Sequence, residues 1–158
     1  MVRFLRHWVA AIAASVMLVL VGCSGSGTST PSSPAASPTT AGAGEIAVTL
    51  KEWAVTPSTT TASGGSVTFN VTNGGTVPHE FVALRTDTPA GDFPIGTFEG
   101  EPQRIDEDTA GENVGETGDM NVGGTKTLTI DLPPGHYALV CNLPGHYGQG
   151  MHTDFTVS

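Results

Sequence analysis

From Glu45 onward the apolar residues of this chain fall at alternate positions in short runs, and clusters of glycine and proline end the runs. Ile46, Val48 and Leu50 alternate with polar residues. So do Val67, Phe69 and Val71, between the turn formers Ser63-Gly64-Gly65 and Asn73-Gly74-Gly75. A third run, Glu80 to Leu84, follows Pro78-His79. A fourth, Lys126 to Leu132, puts Leu128, Ile130 and Leu132 on one face before Pro133-Pro134-Gly135 stops it. His136 to Cys141 and His152 to Val157 complete the set. A period of two sends successive side chains to opposite faces of a strand, so each run buries its apolar face only by pairing and stacking with the others. Short strands at this density, with no stretch of helical spacing, predict an all-β antiparallel β-sandwich over residues 45–158. Trp53, just past the first run, is expected to anchor the core. From Arg85 to Gly124 alternation disappears and turn formers dominate. That stretch reads as a long irregular acidic insertion, a kind of segment that is usually functional or mobile.

The amino terminus has a different character. Arg3 and Arg6 precede an uncharged, mostly apolar run from Trp8 to Val21, too short to span a membrane comfortably, which is the layout of a secretion signal. The run ends at Leu20-Val21-Gly22-Cys23, which resembles the lipobox of bacterial lipoproteins, where cleavage leaves a lipid-bearing Cys as the first residue. Residues 1–22 are therefore expected to be a lipoprotein signal peptide and Cys23 the lipid attachment, placing the protein at the outer face of the cytoplasmic membrane or elsewhere in the cell envelope. The plainer alternatives are an ordinary signal with Cys23 incidental or inside the discarded piece, or an uncleaved signal anchor. Residues 23–44, almost wholly Ser, Thr, Pro, Gly and Ala after the Cys, carry too little apolar surface to offset their ordering entropy and read as a tether.

Loss of the signal removes two of the six basic residues and none of the fifteen acidic ones, which takes the formal charge from −9 to −11. Nucleic acid is then a poor partner, because binding it needs clustered Lys and Arg. A cationic protein is the natural complement of such a surface. Within the irregular segment, Glu99 to Asp119 holds eight carboxylates opposed only by Arg104. A solvated acidic loop accounts for them more simply than a docking patch or a calcium site, since no EF-hand-like ligand spacing is present.

Of the two cysteines, Cys23 is expected to be consumed by lipid, which leaves Cys141 a lone thiol in an oxidising compartment. Alone, such a thiol is most often buried and inert. Its neighbourhood changes the reading. In Cys141-Asn142-Leu143-Pro144-Gly145-His146-Tyr147-Gly148-Gln149-Gly150-Met151, Cys, His and Met recur five positions apart in a loop joining two strands. Two imidazoles and a thiolate with a weak thioether on the axis are the donors of blue-copper electron-transfer sites, and His79, at the head of its strand, supplies the second imidazole. Singly, a His is usually a surface or hydrogen-bonded residue and a Met core filler; jointly, in this order, the four point to a metal, with copper ahead of zinc because a thioether suits copper.

With these residues in place, the domain resembles the cupredoxins, the family of plastocyanin, azurin and rusticyanin. The resemblance spans Glu45 to Ser158 in layout and is sharpest from Cys141 to Met151. It implies a Greek-key sandwich with one type 1 copper ion held by His79, Cys141, His146 and Met151, and a monomeric single-electron carrier rather than an enzyme. It further implies an apolar exit for the electron around His146, formed by Leu143, Pro144, Tyr147 and Pro78. Two departures stand out. Glu80 occupies a position where the family often has a small polar residue bridging to the copper loop, and the separation of His79 from Cys141 is long. His136 repeats the Pro-Gly-His-Tyr pattern but lies at the far end of its strand, on the order of 16 Å from Cys141 by extended-chain rise. His152 is expected to be a neighbour of the site or a surface residue, and Met120, in an irregular setting, a poor rival to Met151. A copper carrier or storage lipoprotein would use the same ligands.

Overall fold

The computed structural model describes residues 44–158. The expected signal peptide, Cys23 and the tether up to residue 43 lie outside the described residues. Eleven strands and two helical turns follow in order: β1 (Glu45–Lys51), β2 (Ala54–Pro57), β3 (Thr61–Ala62), β4 (Gly65–Asn73), β5 (Val82–Arg85), β6 (Ile95–Phe98), β7 (Glu101–Ile105), α1 (Glu107–Ala110), β8 (Glu112–Glu116), β9 (Thr125–Leu132), β10 (Gly135–Val140), a 3-10 turn (Tyr147–Gln149) and β11 (His152–Val157). One sheet runs β2-β1-β4-β9, a second β3-β11-β10-β5-β8, and β6 and β7 form a separate hairpin. This is the expected two-sheet sandwich. Two pairings, β1 with β4 and β3 with β11, are parallel, and the other ladders are antiparallel.

The alternation read from sequence is the burial pattern observed. In β1, Ile46, Val48 and Leu50 are buried and the residues between them exposed; β4 repeats this with Val67, Phe69 and Val71. These side chains meet Phe81, Ala83, Tyr137, Leu139, Phe155 and Val157 of the second sheet in one core. Phe69 lies at its centre, 5.2 Å from the ring of Phe81 and 5.7 Å from that of Phe155.

Central strands of the second sheet are buried on both faces: Val82, Ala83 and Leu84 of β5 and Tyr137 to Val140 of β10 have no more than trace exposure. The cover on the outer face comes, apart from Tyr147, from the stretch expected to be irregular. Ala90, Phe93, Ile105, Ala110 and Tyr147 pack against Val82, Leu84, Ala138 and Val140 in a second apolar cluster. The insertion is thus corrected to an ordered cover of one hairpin, one helical turn and an edge strand, with β8 pairing β5. Its strands are short, and Gly and Pro interrupt their pairing, so the apolar anchors are spaced by chain reversals and carry no period. Among the described residues no helix is long and apolar enough to cross a membrane.

Because Phe69 of the first sheet touches two aromatic rings of the second, Phe69→Ala is expected to destabilise the copper-free domain by about 3–5 kcal/mol. Urea midpoints at constant slope measure this; a loss under about 1 kcal/mol would mean that the core collapses around the cavity.

Candidate metal centre

Backbone closure of one loop brings the donors together. Cys141 leaves β10, and its N–H donates to Met151 O at 2.9 Å, so the eleven-residue loop begins and ends on one hydrogen bond. Inside it, His146 N donates to Leu143 O (2.9 Å), and His146 O accepts from Gln149 N (3.1 Å) and Met151 N (3.3 Å). Gly145 (φ 83°) and Gly150 (φ 110°) occupy left-handed backbone that side chains disfavour, which is why the loop carries glycine on either side of its helical turn. His79 comes from the chain leading into the neighbouring strand, since β5 pairs β10 with Val82 opposite Val140. It exchanges backbone hydrogen bonds with Met120 (3.2 and 2.7 Å), and Asn73 Nδ2 braces this bridge by donating to Met120 O and Val77 O, each at 2.9 Å.

The result is a cluster of three donors, the Nδ1 atoms of His79 and His146 3.2 Å apart and Cys141 Sγ 3.4 Å from His146 Nδ1. His79, Cys141 and Met151 are fully buried, and His146 is half-buried. Met151 sits in the main core, tied through its backbone to both Cys141 and His146. Met120 is buried too, but as the bridge partner of His79, a role its irregular sequence setting concealed. His136 is pinned elsewhere, by Thr86 O at 2.7 Å and Asp154 at 2.9 Å, while His152 lies against the Tyr147 ring, 5.0 Å away, and neither joins the cluster.

Burial sets the protonation of these groups. Desolvation lowers the His79 pKa, against the pull of Glu52, and lowers that of His146, helped by His79, so both rings are neutral donors near pH 7. Desolvation pushes the Cys141 thiol up to about 11, although the backbone N–H groups of Glu80 and Leu143 oppose it. Without a metal the three groups are uncharged, and two ring nitrogens at 3.2 Å attract only if one keeps its proton. A soft cation that draws both lone pairs and displaces the thiol proton resolves this, so the donor set fits one type 1 copper ion.

Glu80 makes the link that its departure from the family pattern had put in doubt. Its backbone N–H points at Cys141 Sγ (3.4 Å), and its Oε1 accepts from Asn142 N (2.9 Å). Asn142 is held in turn: Oδ1 accepts from Ile105 N (2.8 Å), and Nδ2 donates to Ile105 O (3.1 Å) and Glu107 Oε1 (2.7 Å). Arg104 adds a bond to Asn142 O at 2.9 Å and spans Glu99, Glu101 and Glu107. Part of the acidic segment thereby braces the loop.

The environment of His146 corrects two expectations. Trp53, expected in the core, is 39% exposed and sets its ring against His146, centroids 5.1 Å apart at 75°. Tyr147, expected on the surface, is buried, its hydroxyl donating to Ala90 O (2.8 Å) and accepting from Phe93 N (3.0 Å). Ile95, 49% exposed, flanks the loop at Gly148, where an added Cβ would lie 3.1 Å from its Cδ1. Trp53 and Ile95 were missed because each lies far from the loop in sequence and carries no motif.

Burial, reinforced by Glu107 and opposed by Arg104, pushes the Glu80 carboxyl from 4.5 up to about 7. Between those values the folded protein holds a proton that the unfolded chain releases, so stability from this group falls as pH rises. Relative to Glu80→Gln, the copper-free protein is expected to lose roughly 3 kcal/mol from pH 4.5 to above pH 7. Parallel pH profiles of the two proteins in urea would instead mean that Glu80 titrates as if in water.

Comparison with known proteins places this geometry. Residues 60–158 match the Sulfocyanin (SoxE) domain. A search of curated proteins finds no match. Among solved structures, dithionite-reduced auracyanin from Roseiflexus castenholzii is similar over 73% of this chain and 95% of its own, at 22% identity and a TM-score of 0.53. Auracyanin A, a "blue" copper protein from Chloroflexus aurantiacus, matches over 72% and 98%, at 21% identity and 0.50. An azurin from Methylomonas sp. strain J matches over 72% and 97%, at 18% identity and 0.51. These likenesses are of fold. The domain match covers more than half of the chain, which therefore belongs to the sulfocyanin (SoxE) family of cupredoxins.

Proposed function

We propose that this protein is an exported, lipid-tethered single-electron carrier in which His79, Cys141, His146 and Met151 hold one copper ion. The observation that carries the reading is the convergence of two neutral imidazoles and a thiol at a buried point walled by the core, with Met151 buried beside them. The bound ion would supply a Cu(II)/Cu(I) couple. The chain's own part is to hold the donors still: the loop is closed on β10, braced through Asn142, and joined through Glu80 to the segment that carries His79. Little motion of the donors means little reorganisation as charge changes.

The site favours transfer of electrons over conversion of a substrate, so the protein is proposed not to be an enzyme. A polar cleft of about 270 Å³ is lined by Glu80, Glu99, Arg104, Glu107 and Asn142 among others, and reaches none of the four donors. The half-buried edge of His146, framed by Trp53, Ile95 and exposed Pro144, is the proposed exit, a small apolar face suited to brief encounters. With four basic and fifteen acidic residues after the signal, the surface would steer a cationic redox protein toward that face. Cys23 would carry the membrane lipid.

Oxidation of the copper(I) protein by a small cationic complex is expected to slow as salt is added, and oxidation by an anionic complex to quicken. Ile95→Lys should slow the cationic reagent several-fold without changing the visible spectrum. Copper lost to a chelator within seconds, with slow electron exchange, would contradict the carrier of electrons and support a carrier of copper. Cys23→Ser should release the protein from membranes.

A further inference from the structure

Glu52 and Trp53 form the turn between β1 and β2, upstream of the span that matches the family, and this two-residue turn touches both imidazoles from outside. Trp53 meets the His146 ring, and Glu52 Oε1 lies 3.4 Å from His79 Nε2. That nitrogen is the one buried side-chain polar atom among the described residues with no hydrogen-bond partner, so the carboxylate is a near approach and not yet a formed bond. We propose that Glu52 is a positioning residue for the metal centre: its carboxylate accepts a hydrogen bond from His79 Nε2–H, fixes the tautomer that leaves Nδ1 free to bind the metal, and biases the bound ion toward its more highly charged state. The proposal rests on His79 being a ligand.

Three features support this assignment. First, the carboxylate is held in place independently of His79, since Oε1 accepts from Thr76 N (2.6 Å), Thr76 Oγ1 (3.2 Å) and Val77 N (3.0 Å). These donors keep it ionised, an anion directed at a ring nitrogen. Second, Gly75 leaves the gap in which the two groups meet. A Cβ there would sit 2.6 Å from both Glu52 Oε1 and His79 Nε2 and 2.9 Å from Glu52 Oε2. His79 is fully buried and fixed by its bridge to Met120, so a side chain at residue 75 would displace the carboxylate. Third, the chemistry demands a partner. A ring that gives its Nδ1 lone pair to a metal carries its proton on Nε2, and a buried N–H without an acceptor costs about 1–3 kcal/mol. Metal binding makes that N–H more acidic, so the contact tightens when the site is loaded.

The sign of the effect follows from charge. Copper(II) with one thiolate is a net monocation and copper(I) with one thiolate is neutral, so a nearby carboxylate stabilises the oxidised form. Removing its charge in Glu52→Gln should weaken Cu(II) binding at least tenfold relative to Cu(I). That ratio reads as a rise of about 59 mV in reduction potential. Gly75→Ala should move the potential in the same direction, and Glu52→Asp, which keeps the charge, should restore most of the wild-type value.

The experiment is a redox titration of the copper-loaded wild type, Glu52→Gln, Glu52→Asp and Gly75→Ala, with nitrogen NMR of the His79 ring in the same proteins free of copper. The expected result is the order of potentials above, together with Nε2–H on His79 in wild type and mixed tautomers in Glu52→Gln. Unchanged potential in both Glu52→Gln and Gly75→Ala would overturn the proposal, as would a His79 tautomer that ignores Glu52. Should the protein take up no copper, the ligand reading fails on its own, and the tautomer measurement still decides what Glu52 does.

Discussion

Everything at this site depends on keeping a thiol and an imidazole out of water. Cys141 and His79 are fully buried, with His146 half-buried beside them, and among the described residues the charges that act on the sulfur are the acidic Glu80 and Asp119. Burial alone would make these groups poor ligands, since it favours the neutral thiol. It also removes the water that would otherwise compete for a metal and holds both rings in the neutral form that binds one. The sandwich makes this possible by setting the donors at the end of a core whose strands β5 and β10 are buried on both faces, so that the loop rests on rigid packing.

Two networks convert that burial into a defined geometry. On one side Glu80, Asn142, Ile105, Arg104 and Glu107 tie the start of the loop to the cover that spans the second sheet. On the other, Asn73 holds the bridge of His79 to Met120, and Glu52 caps the turn that follows β4. A displacement of Cys141 or His79 would break bonds in one of these networks, and a displacement of His146 or Met151 would break the backbone bonds within the loop, which is the structural content of a site that changes little when its charge changes.

The core strands and the donors were legible in the sequence because each depended on a local pattern. Period two marked β1, β4, β9 and β11, a short apolar run beside turn formers marked β10, and five-residue spacing in a strand-to-strand loop singled out Cys141, His146 and Met151. What escaped was whatever the topology brings together over distance. Trp53 was expected inside because it is large and follows a strand, but the β1–β2 turn carries it to the edge of His146. Tyr147 was expected outside as part of the apolar exit that the family resemblance implied around His146, but the 86–110 cover closes over it. That cover itself looked irregular because its strands are short and its apolar anchors, Phe93 and Ile105 among them, are placed by chain reversals. Glu52 carried no signal at all; only the closeness of β1 to the end of β4 makes it a neighbour of His79.

The most direct test of the account is the visible and electron paramagnetic resonance spectrum of residues 44–158 loaded with copper(II), recorded beside Cys141→Ser. An intense thiolate-to-copper band that disappears in the variant is the predicted result. The same weak spectrum from both proteins would contradict it, since Cys141 would then bind no copper and the donor cluster would need another explanation.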